Sequence, residues 1–127
     1  MKVSPNLISP SQDFLKPKTI RFIMECIKNG EIGKLPPTPI VRMDAKGNLI
    51  AIDGHNLIAV RLHRNEDVDV HIAESAKDGL PEISDANIQR NRDLKTKYEF
   101  VLAERDRLHE EGIDSFSDLI RLYSDLF

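Results

Sequence analysis

Residues 50–60 read Ile50-Ala51-Ile52-Asp53-Gly54-His55-Asn56-Leu57-Ile58-Ala59-Val60. The apolar run from Leu49 to Ile52 is a short buried strand by length and β-branching, and Asp53-Gly54 turns it directly into a helix from about His55 to about His63. That helix buries a combination of Leu57, Ile58, Val60 and Leu62. The start of such a helix leaves backbone N–H groups without partners and carries partial positive charge, so it attracts anions. Gly54 removes the side chain that would hold a ligand away. Asp53, His55 and Asn56 add a carboxylate, an imidazole and an amide, a set able to orient a metal-bound phosphate or move a proton. Asp53 and His55 are the catalytic candidates. Read from the residues alone, Asp53 serves equally well as the helix N-cap.

The flanking sequence supplies the rest of a small α+β unit. Asn6-Leu7-Ile8 reads as a strand ended by Ser9-Pro10. A helix begins at Pro17, a residue suited to the first helical position, and Ile20, Ile23, Met24 and Ile27 share one face until Asn29-Gly30 closes it. Ile40 to Met43 and Leu49 to Ile52 form a hairpin around Asp44-Ala45-Lys46-Gly47-Asn48, and Asp67 to Ile72 alternates as one closing strand. Residues 1–73 form the core on this reading and 74–83 a connection. Residues 84–127 form a helical extension, packed on the core or on a partner subunit. The extension holds a long helix with Leu94, Tyr98, Val101, Leu102 and Leu108 near one face, stopping at Gly112. A last helix is capped by Ser115 with Asp118 and carries Phe116, Leu119, Ile120, Tyr123 and Leu126 as an apolar stripe.

Composition narrows the classes. A chain of 127 residues, 40% hydrophobic and 31% charged, is the size and texture of one folded domain. No apolar run approaches the roughly 20 residues a membrane helix needs, and the N-terminus lacks a secretory apolar stretch, so a cytoplasmic protein is expected. The single cysteine, Cys26, excludes an internal disulfide and reads as a packing residue. A net charge of −3 gives no general field for nucleic acid. Only Arg90, Arg92, Lys95 and Lys97 cluster, and with acidic neighbours at Asp93, Glu99 and Glu104 they read first as a solvated helix face.

Taken in order, Ser9-Pro10-Ser11-Gln12, a helix ending in glycine, Pro37-Thr38-Pro39-Ile40-Val41, and Ile52-Asp53-Gly54-His55 before a helix with Ala59 resemble the ParB/sulfiredoxin superfamily over roughly residues 5 to 73. The resemblance implies a small mixed sheet with packed helices, and a nucleotide-phosphate loop at Gly54, His55 and Asn56 edged by Asp53. Asp53-Gly54-His55 is similar to the free-serine-kinase branch. ATP, ADP or CTP with magnesium are the implied ligands, or another phosphorylated small molecule, with hydrolysis or phosphoryl transfer as the implied activity. The family's arginine after Gly-His is Leu57 here, so Arg61, one turn on, or Arg42 on the preceding strand is the expected substitute. The turn has no sulfiredoxin cysteine. The kinase's glutamate has no counterpart in Ser11-Gln12-Asp13, where Gln12 resembles the ParB branch. The alternative is a non-catalytic interaction or regulatory module whose C-terminal helices supply the partner surface; on any of these readings those helices either pack on the core or form a homodimer. A DNA-associated factor using Arg90, Arg92, Lys95 and Lys97 is the third option.

Overall fold

In the computed structural model, which describes residues 1–81 and 83–127, the chain is a mixed α+β fold. Its elements are β1 Lys2–Val3, β2 Ile8–Ser9, α1 Pro17–Lys28, β3 Ile40–Met43, β4 Leu49–Asp53, α2 His55–His63, β5 Val68–Asp69, β6 His71–Ile72, α3 Asp85–Glu110 and α4 Phe116–Leu122. Four strands form one sheet in the order β2-β4-β3-β6, with β2 parallel to β4, β3 antiparallel to β4, and β6 parallel to β3. β1 and β5 pair separately as an antiparallel ribbon.

β4 explains the layering. Leu49, Ile50, Ala51 and Ile52 are all buried, and successive strand residues face opposite sides. Leu49 and Ala51 join Ile8, Val41, Ile20 and Ile23 of α1, Ile58 of α2, and Phe116 and Leu119 of α4 in one core. Ile50 and Ile52 face the other way, with Ile40, against Leu94, Tyr98 and Val101 of α3. The strand thus needs both covers. Residues 84–127 supply α3 for one face and α4 for the other, so the helical extension packs on residues 1–73 and completes their core. Ser115 and Asp118 form the expected capping box before α4, and Gly112 follows α3 with a positive φ of 82°.

Two expected strands are corrected. Asn6-Leu7-Ile8 is not one strand: Pro5–Leu7 make a 3-10 turn and pairing begins at Ile8. Proline at the start of this segment lacks the N–H a ladder needs and suits the first position of a helical turn. The expected strand from Asp67 to Ile72 divides into β5, paired with β1, and β6, paired with β3. Between them Val70 donates its N–H to the Met1 carbonyl. Of the connection 74–83, Glu82 lies outside the described residues. No helix among the described residues is long and apolar enough to cross a membrane.

Candidate functional site

Strand directions bring the chemistry to one edge. β2 runs parallel to β4, so the segment after Ser9 emerges beside the turn after Asp53; β3 runs antiparallel, so the segment before Ile40 arrives there too. α3 crosses the other face of β4 and delivers Arg90 and Lys97, two helical turns apart on one side. The result is a cleft of about 230 Å³ lined by residues 53–57, Gln12, Phe14, Lys16, Thr19 and Lys97 among others.

Gly54 is the N-cap of α2, with φ +90°. A Cβ at this position would lie 2.6 Å from Pro39 Cβ and 2.8 Å from Pro39 Cα, so the glycine is required by the crossing Pro39 chain as well as by the left-handed backbone. Asp53 therefore does not cap the helix. Its Oδ1 accepts from the Gly54 N–H at 2.9 Å, and its Oδ2 accepts from Arg90 Nε at 2.9 Å. Arg90 also donates to the Thr38 carbonyl, tying α3 to the segment before β3. No side chain caps α2. Residues 55–57 line the cleft, and their first-turn amides have no side-chain acceptor among the described residues.

His55 is only 2% exposed. Its Nε2 accepts the Ser11 N–H at 2.9 Å, while Ser11 Oγ donates to the Ala51 carbonyl at 2.6 Å. The Phe116 ring lies 5.6 Å away, centroid to centroid. Accepting at Nε2 requires that nitrogen to be unprotonated, which fixes the neutral tautomer with its proton on Nδ1. Burial pushes the pKa from its ordinary 6.5 to about 3, with the Asp53 carboxylate opposing and Lys97 reinforcing. His55 is a latch between the segment after β2 and the start of α2. Asn56 plays a matching part, its Oδ1 accepting the Lys16 N–H at 2.8 Å where α1 begins.

The two arginines expected near the turn are placed elsewhere. Arg61 pairs with Glu66 at 2.7 Å. Arg42 lies over the Tyr98 ring at 4.0 Å and donates to the Tyr98 carbonyl at 2.9 Å. Leu57, where the resemblance expects an arginine, is 7% exposed and packs in the core. Asp13 pairs with Arg107 at 3.6 Å. The cations at the cleft are instead Lys16 and Lys97, which sequence reading did not select as site residues. Lys97 was visible only as part of a basic run, and its seven-residue separation from Arg90 was the available signal. The run does not form one basic surface: Arg90 is 11% exposed within its ion pair, whereas Arg92 is exposed and Lys95 borders a different cleft.

A larger cleft, about 610 Å³, lies beside the β3–β4 turn. Part of its charge is engaged locally. Asp44 accepts from the Lys46 and Asn48 amides, and Asp114 pairs with both His109 and Arg105. The smaller cleft is the better candidate because Lys16 and Lys97 border the start of a helix there that carries no side-chain cap among the described residues. Comparison with known proteins adds no relative: no family model, no curated protein and no solved structure matches the chain.

Proposed function

We propose that the chain is a ParB/sulfiredoxin-like domain that binds the phosphate end of a nucleotide or another phosphorylated small molecule in the cleft at the β4–α2 turn. The observation that carries this reading is the convergence of Lys16 and Lys97 on the uncapped first turn of α2. Backbone N–H groups and two ammonium groups form an anion site of the kind helix starts favour. The missing arginine at position 57 is made good from outside the motif. A volume of about 230 Å³ is below the ~300–1,000 Å³ usual for a whole drug-sized ligand, so the cleft seats phosphates while the remainder of the ligand lies outside.

Binding without turnover fits the site best. General acid–base work needs a side chain that reaches the reacting proton with a pKa near the working pH. His55 is walled in, accepts a backbone hydrogen bond and is neutral far below physiological pH; Asp53 has both oxygens occupied. Titration with ATP, ADP and CTP, followed by calorimetry and by amide shifts of residues 54–57, tests the reading. Saturable binding that weakens at least about a hundredfold in a Lys16→Ala, Lys97→Ala double variant is expected, two charge-assisted contacts of ~1.5–3 kcal/mol each being lost. No binding of any of the three at millimolar ligand refutes it.

A further inference from the structure

A phosphate site of this kind invites magnesium, yet the residues present do not fit that ion. Magnesium takes near-octahedral oxygen ligands, commonly one or two carboxylates together with phosphate and water. Among the described residues, the one carboxylate lining the cleft is Asp53. Its Oδ1 is held by the Gly54 amide and its Oδ2 by Arg90. The Asn56 amide oxygen is likewise committed, to the Lys16 N–H. Among the described residues no three His, Cys, Asp or Glu side chains converge to hold a metal ion.

What the site has in place of a metal is a built-in cation. The Arg90 side chain is 11% exposed, and that of Asp53 is 42% exposed. Arg90 therefore lies behind the carboxylate, while Asp53 forms part of the cleft wall. A bare carboxylate there would repel an incoming phosphate. With a guanidinium bonded to it, the wall is close to neutral and Lys16 and Lys97 set the sign of the field.

We propose that Arg90 is a positioning residue that neutralises Asp53 from behind, so that the cleft accepts phosphate without a divalent cation. This rests on the phosphate reading of the same cleft. The guanidinium has a planar set of donors, so the masking does not depend on metal supply. By also holding the Thr38 carbonyl, Arg90 keeps the Pro39 chain against Gly54.

The test is a titration with inorganic phosphate, read from the amide shifts of residues 55–57, in excess EDTA and again in millimolar magnesium. The wild-type chain is expected to bind equally in both, within about twofold. Arg90→Gln should bind at least about tenfold more weakly, the effect of one uncovered charge nearby in a medium of effective dielectric ~20. Asp53→Asn/Arg90→Gln should recover most of that loss, which a merely structural role for Arg90 does not predict. Asp53→Asn alone keeps the oxygen that accepts from Gly54 and should bind as well as wild type or better, so the proposal remains testable if Arg90→Gln folds poorly. Magnesium-dependent binding by the wild type, unchanged binding by Arg90→Gln, no rescue in the double variant, or weakened binding by Asp53→Asn overturns the proposal and leaves the phosphate site standing. No phosphate-induced shift in any variant, with ADP equally silent, removes the phosphate site and this inference together.

Discussion

Lowering the pH from 7 to 4.5 tests the role assigned to His55, because that group separates a binding site from a proton-transfer site. Its pKa falls from an ordinary 6.5 when exposed in the unfolded chain to about 3 in the fold. Between those values the unfolded chain carries a proton on this ring and the folded chain does not. Stability therefore rises with pH through this window, is fully present above about 6.5, and is lost as pH falls towards about 3. The slope approaches 1.4 kcal/mol per pH unit. Integrated from pH 7 to 4.5, the loss is about 2–3 kcal/mol, a large part of the ~5–15 kcal/mol that holds a typical domain. Carboxylates held low by their contacts, such as Asp44 and Asp118, titrate beneath this range and add little to it. Urea denaturation at half-unit pH intervals reads the loss as a falling midpoint at constant slope. The same series on His55→Gln, whose amide stays neutral, should be flatter between pH 4.5 and 6.5 by about the amount calculated, whatever its absolute stability. Parallel pH profiles for the two proteins would show that His55 ionises inside the fold, and the case against its acting as an acid or base would collapse.

Gly54→Ala should be costly for two separable reasons, the left-handed φ and the overlap with Pro39. The first is worth ~1–2 kcal/mol and the second ~1–3 kcal/mol. Gly112→Ala, which has a similar φ but nothing within 4 Å of the added Cβ, bears only the first, and equal melting temperatures for the two variants would contradict the Pro39 contact. Phe116→Ala should lose ~3–5 kcal/mol, since Phe116 is wholly buried between the sheet and the His55 ring. Its amide-exchange protection should fall in α2 and β4 as well as in α4; an effect confined to α4 would mean that the last helix is an accessory. The Lys16, Lys97, Arg90 and Asp53 variants described above complete the set.

What could be read from the sequence was whatever short stretches determine by themselves. The β4–α2 junction, α1 beginning at Pro17, the β3–β4 hairpin and the Ser115–Asp118 cap each depend on residues a few positions apart, and each formed as expected. The misplacements concern distant partners. Asp67 to Ile72 has the alternation of one strand, but Met1 and β1 claim its first half and β3 its second. His55 is polar by type and stands first in its helix, which reads as exposed; Phe116, 61 positions later, covers it, and Ser11, 44 positions earlier, occupies its acceptor nitrogen.

The same long-range contacts decide the chemistry of the turn. In the sequence, Asp53 and His55 look like the pair that moves a proton, because nothing nearby competes for them. In the fold each is already engaged, Asp53 by Arg90 from α3 and His55 by Ser11 from the segment after β2. On the proposed reading, capacity for an anion rests on groups that no motif search centred on Asp53-Gly54-His55 would select: Lys16, held at the head of α1 by Asn56, and Lys97, placed by α3 two turns beyond Arg90. A motif defined by its own residues thus keeps its place and its backbone here while its reactive side chains become structural. On the reading proposed above, helices α1 and α3 rather than the turn supply the cations that border the cleft.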